Sequence, residues 1–124
     1  QIRSLEVVNA YENIPSLTAA SNDVSFSESL GIYLQSIGRK GDALFLFSAS
    51  GNSQNLVRGI EVARSIGMGI FSLTGFSGGR IRSLSDLNIH VDSQEGEYGP
   101  VEDIHLSICH LITHLWRKKW QSLI

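Results

Sequence analysis

Six consecutive residues, Ser48-Ala49-Ser50-Gly51-Asn52-Ser53, gather hydroxyl and amide groups where they could do chemistry. They separate the apolar run Ala43–Phe47 from a helical pattern over Gln54–Ile66. A strand, a hydroxyl-rich glycine turn and a helix start, in that order, make an anion site: hydroxyls and unpaired N–H groups converge at the positive end of the helix dipole. The same residue types also favour turns and N-caps for purely local reasons. Two features favour a ligand. The loop has three hydroxyls where one would cap, and it lacks both the lysine of a nucleotide P-loop and the G-x-G-x-x-G of a dinucleotide fold. The expected ligand is therefore the monophosphate of a small molecule, a sugar phosphate for preference, with no nucleotide cofactor.

A second constellation lies on the segment Val101–Lys118, which carries Glu102, His105, His110 and His114. Glu102 and His110 fall within about 80° of each other on a helix. The apolar stripe Ile104, Ile108, Leu111 and Leu115 points elsewhere and is expected to face the core. Leu106 and Thr113 share the Glu102–His110 face, which fits cover by another subunit. A carboxylate beside an imidazole suits acid–base chemistry, because histidine titrates near neutrality. The pair also suits two positions of a zinc site, and a solvated polar face is the plain alternative. His105 and His114 are expected to be packing or surface residues, and Cys109 a small core hydrophobe.

These groups need a scaffold that brings them to one edge. Leu5–Ala10 reads as a short strand, followed by a turn over Tyr11–Pro15 and a helix over Ser16–Ala20. A second helix is expected over Ser27–Ile37. Strand 43–47 and helix 54–66 come next, with Leu56, Ile60 and Ala63 inward and Gly67 as C-cap. Ile70–Leu73 and Leu87–Val91 read as further strands, with a short helix to about Leu84 between them. Pro100 opens the final helix. Alternating short apolar strands and helices predict an α/β fold, a doubly wound parallel sheet with helices on both faces. Ligands of such sheets sit beyond the carboxyl ends of the strands. Glu12 and Asn13, the serine loop, Thr74-Gly75 and the start of the last helix all follow strands in this reading.

The 124 residues form one domain, 1–124. A formal charge of −2 gives no reason to expect nucleic acid or an anionic membrane, and the longest apolar run is far short of a membrane span. A single cysteine and no signal-peptide pattern suit a cytoplasmic setting. The chain starts with Gln1, and four strands are visible where five are usual, so further sequence upstream is expected.

The stretch Gly41–Ser53 resembles the hallmark of sugar isomerase (SIS) domains. So, in order and spacing, do Glu12–Ala19 with Asn22-Asp23, Leu73–Gly79, and Glu102-Asp103-Ile104-His105 with His110. Together they are most similar to the phosphoheptose isomerase group and cover essentially the whole chain. The resemblance implies a flavodoxin-like SIS fold, with the family's N-terminal helices and first strand absent from this sequence. By position it assigns Ser48, Ser50 and Ser53 to phosphate binding, with Gly51 and Asn52 shaping the turn and Thr74 nearby. Glu12 or Asn13 would touch sugar hydroxyls, and His110 would be acid/base or zinc ligand. The implied reaction is an aldose–ketose isomerisation of a seven-carbon sugar phosphate in a homotetramer, supplying heptose for a bacterial surface polysaccharide. Three positions depart from the family pattern: Glu102 stands where glutamine is frequent, Ala49 where threonine is, and Ser77 where an acidic residue is. The alternative is a non-catalytic SIS module that binds a sugar phosphate or a protein partner.

Overall fold

The computed structural model describes residues 6–122. Its contacts cluster into two compact units, one running up to Leu44 and including Gln54–Gly69, the other made of Phe45–Ser53 and the residues from Ile70 onward.

The first unit is helical: α1 (Ile14–Asp23), a 3-10 turn (Phe26–Glu28), α2 (Ser29–Ile37) and α3 (Gln54–Ile66). Asn13 caps α1 by accepting from the Ser16 N–H at 3.1 Å, and Pro15 sits where a missing N–H costs nothing. Helices α2 and α3 interlock through glycine notches. A Cβ on Gly31 would lie 3.1 Å from Val62 Cγ2, and one on Gly59 only 2.4 Å from Leu30 Cδ2. Leu30, Val57, Ile60 and Ala63 are buried there. The Asn55 amide donates to the Tyr11 hydroxyl at 2.6 Å. Arg58 joins Glu28 at 2.8 Å and Glu61 at 3.0 Å; Glu28 first and then Glu61 raise its already high pKa. Gly67, at φ +89°, closes α3 by donating to the Ala63 carbonyl.

The expected strand over Leu5–Ala10 is not formed. Leu5 lies outside the described residues, and Glu6–Asn9 have no regular structure. Asn9 accounts for this: its side chain accepts from the Tyr11 N–H at 3.0 Å and its carbonyl from the Glu12 N–H at 3.2 Å, which starts a turn. Val7 and Val8 are exposed. The described residues thus hold three strands, not four, and α1 begins earlier than expected, at Ile14.

The sheet, all but Ala43, Leu44 and Gly69 of it in the second unit, comprises β1 (Ala43–Ser48), β2 (Gly69–Thr74) and β3 (Leu87–His90), in the order β1-β2-β3. β2 and β3 run parallel, with Phe71 opposite Leu87 and Thr74 opposite His90. On one face, Ser72, Thr74, Asn88 and His90 form a hydroxyl–amide ladder, continued by the Ser72–Ser85 contact of 2.7 Å just past α4 (Gly79–Leu84). The other face carries Phe45, Phe47 and Phe71, and α5 (Tyr98–Gln121) reaches it where the His105 ring meets Phe47. Ile70, Leu73, Ile81 and Val101 are fully buried.

The outward aspect of α5 differs from expectation. Ile104, Leu111 and Leu115 are 43%, 55% and 55% exposed, and the residues that seat the helix are Val101 and His105. Two causes combine: Ile104, within the seated turns, lies off the face centred on Val101 and His105, whereas Leu111 and Leu115 lie further along a helix that outruns the strands. A helix of 24 residues is about 36 Å long, whereas strands of 4 to 6 residues reach about 13–20 Å. Only the first turns of α5 lie over the sheet.

Candidate functional site

The serine loop is stiffened by its own side chains. The Ser48 hydroxyl, buried, accepts from the Gly51 N–H at 3.1 Å, and the Ser50 hydroxyl accepts from the Asn52 N–H at 3.3 Å. The Asn52 amide donates back to the Ser50 carbonyl at 3.3 Å. Each hydroxyl that accepts in this way keeps its own proton free to donate to an anion. Ser53 is exposed and is followed directly by α3.

A second loop, Gly75–Gly79 at the end of β2, holds the serine loop in place. The Gly75 N–H donates to the Ala49 carbonyl at 3.0 Å, and the Ile81 N–H to the Gly51 carbonyl at 2.9 Å. Asn52 Oδ1 accepts from the Arg80 N–H at 3.0 Å, at the start of α4. The two backbones touch where both lack side chains. Gly51 has φ +66°, and a Cβ there would meet the Gly78 carbonyl oxygen at 1.9 Å. A Cβ on Gly79 would meet Gly51 carbonyl atoms at 2.5 Å. Two carbonyls that would repel an anion, those of Ala49 and Gly51, are therefore occupied by Gly75 and by Ile81 of α4, while the Ser48 and Ser50 hydroxyls keep protons to donate. The Gly78-Gly79 pair was visible in the sequence; its role as a seat for Gly51 was not.

The remaining expected residues are spread more widely. Thr74 ends β2 fully buried, with its hydroxyl on Asn88 and His90 at 3.2 Å, so that hydroxyl is engaged inside the sheet. In the other unit, Glu12 and Asn13 are exposed and the Asn13 side-chain oxygen is used in capping α1. Glu102 lines a shallow cavity of about 260 Å³ with Phe47, His105, Leu106 and Cys109. His110 is exposed and outside that lining. His105, which carried no signal beyond packing, is 5% exposed with Nε2 lacking a hydrogen-bond partner. Among the described residues no group of three or more His, Cys, Asp or Glu converges as metal ligands would. Glu102 and His110 supply two donors, so a zinc held there would need further ligands.

Residues 3–75 match the family model described as the SIS domain. The chain belongs to the SIS domain family. It is 37% identical over 105 residues to the phosphoheptose isomerase of Vibrio vulnificus (strain CMCP6), an overlap of 85% of this chain and 54% of that protein. With the phosphoheptose isomerase of Yersinia pestis (strain Pestoides F) it shares 34% identity over 110 residues, 89% of this chain and 56% of the relative. Among solved structures it resembles phosphoheptose isomerase GmhA from Neisseria gonorrhoeae, with a TM-score of 0.76 and 28% identity over 84% of this chain and 58% of that one. A phosphoheptose isomerase from Francisella tularensis shares the fold, with a TM-score of 0.74 and 24% identity over 82% of this chain and 54% of that one. The chain thus spans a little over half the length of these relatives. The α/β fold expected from the alternation of strands and helices, and the SIS architecture implied by the resemblance, are the ones found, and no described helix is long and apolar enough to cross a membrane.

Proposed function

We propose that this SIS chain is the phosphate-holding part of an aldose–ketose isomerase acting on sedoheptulose 7-phosphate. The observation that carries the reading is the serine loop, with its Ala49 carbonyl engaged by Gly75, its Gly51 carbonyl by Ile81 of α4, and the Ser48 and Ser50 hydroxyls left as donors. The names of the relatives support the substrate. In this reading Ser48, Ser50 and Ser53 donate to the phosphate, Gly51 and Asn52 hold the turn, and Glu12 or Asn13 meets sugar hydroxyls. A base takes a proton from C1 of the ketose as O2 is protonated, giving the enediol, and a proton delivered to C2 as the O1 hydroxyl gives up its own leaves the C1 aldehyde of the aldose. Glu102 and His110 are the pair assigned to that transfer. Were zinc bound, the same two residues would contribute ligands, with the rest of the donor set from outside the described residues; no step here runs through it. The same proposal places the protein in the cytoplasm as a homotetramer, supplying heptose for a surface polysaccharide. Incubation with sedoheptulose 7-phosphate should yield the aldose heptose phosphate, and no turnover, with or without added zinc, sinks the catalytic reading.

One observation favours a second reading. Glu102 lines a cavity whose lining does not include His110, so the two residues assigned to acid–base work do not share one pocket. A non-catalytic SIS module that binds a sugar phosphate or a protein partner would have this appearance. His110→Ala separates the two: it should abolish turnover in an isomerase and leave sugar-phosphate affinity nearly unchanged in either case.

A further inference from the structure

Phe76 has a backbone conformation that its residue type rarely adopts. It occupies the first central position of the turn closed by the Gly78 N–H on the Gly75 carbonyl at 2.7 Å, with φ +50°. It is the sole non-glycine residue with positive φ among the described residues. Glycine is the usual occupant of such a position, and a bulky side chain persists there only when its surroundings over-determine it. Those surroundings are specific. The Phe76 N–H donates to Ser93 Oγ at 3.0 Å, and Ser93 in turn donates to the Val91 carbonyl at 3.2 Å. The Phe76 ring is buried and meets Tyr98 edge-on, with centroids 5.0 Å apart and planes at 83°.

Tyr98 is the first residue of α5, and that helix start has no side-chain cap. One residue before Phe76, Gly75 packs directly on Val101 in the same first turn. A Cβ at Gly75 would meet Val101 Cγ1 at 2.7 Å, and the Gly75 N–H is bonded to the serine loop at Ala49. The Gly75–Gly79 loop is therefore fastened on one side to the serine loop and on the other to the turn of α5 that precedes Glu102.

From this we infer that Phe76 is a positioning residue. Its ring and its strained backbone fix the first turn of α5, and with it Glu102, relative to the serine loop. The inference deepens the isomerase reading and rests on it for the role of Glu102. A positioning role predicts an effect on the chemical step rather than on phosphate affinity, because the serine loop has its own attachments through Asn52 and Gly51.

The test compares Phe76→Ala, Phe76→Tyr and Tyr98→Ala with the unaltered protein. Phe76→Ala should lower kcat for sedoheptulose 7-phosphate at least about tenfold while its Kd changes less than about threefold, and Phe76→Tyr should restore most of kcat. Hydrogen exchange supplies a readout independent of turnover. Amides of Val101–His105 should exchange about tenfold faster in Phe76→Ala and in Tyr98→Ala, with the β2 amides unchanged. Unchanged exchange at Val101–His105 in both variants overturns the inference, as does unchanged kcat in Phe76→Ala. If the unaltered protein binds the sugar phosphate but does not turn it over, the isomerase reading fails, and the exchange comparison still decides whether Phe76 fixes the start of α5. Should Phe76→Ala not fold, Tyr98→Ala carries the same two outcomes.

Discussion

Gly51 is the position in the serine loop where a single added methyl group meets the least room. In Gly51→Ala the new Cβ would sit 1.9 Å from the Gly78 carbonyl oxygen and 2.9 Å from the Gly79 nitrogen, both backbone atoms that cannot rotate away. An alanine at φ +66° first costs about 1–2 kcal/mol for the left-handed conformation. Parting two packed backbone segments adds about 1–3 kcal/mol, as overpacking generally does. The total, about 2–5 kcal/mol, is a large share of a domain's stability and corresponds to a fall in Tm of roughly 8–20 °C for a chain this size. Gly41→Ala is the matched control: φ is +93°, yet nothing lies within 4 Å of its added Cβ. It has the conformational cost alone, roughly 4–8 °C. Thermal and denaturant unfolding of the two variants side by side, with sugar-phosphate titration of each, measure the difference. Equal losses of stability in the two, or full phosphate affinity in Gly51→Ala, would refute the close seating of the serine loop on Gly78-Gly79.

Other outcomes follow from the same structure. Ser50→Ala and Ser53→Ala should each weaken sugar-phosphate binding about tenfold or more by calorimetry, since each removes a donor to a charged acceptor. Asn52→Ala should cost about 1–2 kcal/mol of stability in denaturant unfolding, because it strips the Arg80 N–H of its partner at the start of α4. His105→Leu should leave stability unchanged or raise it by about 1 kcal/mol, because a buried nitrogen without a partner is replaced by apolar volume; a loss above about 3 kcal/mol would mean that Nε2 has a partner in solution. Glu28 and then Glu61 raise the folded-state pKa of Arg58 above its ordinary, already strongly basic value, so the stability it contributes is fully present at neutral and mildly basic pH and is lost only as pH rises through that higher pKa. Arg58→Met should therefore lower Tm by the same amount at about pH 6 and about pH 9, which scanning calorimetry at the two pH values checks.

The parts of the fold that were legible are those governed by local signals. α3 runs from Gln54 to Ile66 as its pattern predicts, because Gly67 supplies a left-handed C-cap within the same few residues. The run Ala43–Phe47 reads as a strand because β-prone residues precede a glycine turn, and its alternate burial follows from the pleat. What failed depended on neighbours. The expected strand Leu5–Ala10 has strand composition, but Asn9 turns the chain, and Val7 and Val8 are exposed. The stripe Ile104, Ile108, Leu111, Leu115 is real helical periodicity; periodicity says that a face is apolar and not what covers it. The serine loop announced an anion site by composition, whereas its dependence on the Gly78-Gly79 seat joins residues about thirty positions apart. Phe76 gave no signal at all, since a positive φ is expected of glycine and the constraint on it comes from Ser93 and Tyr98.

The central claim is that the serine loop holds the phosphate of a sugar phosphate. Backbone amide resonances of this protein, followed by heteronuclear NMR as sedoheptulose 7-phosphate and then inorganic phosphate are added, test it most directly. The largest shifts with both ligands should fall on Ser48–Ser53, with smaller ones on Gly75–Gly79, and Ser50→Ala should weaken both. Saturable shifts centred elsewhere, or none in the serine loop at millimolar ligand, would contradict it.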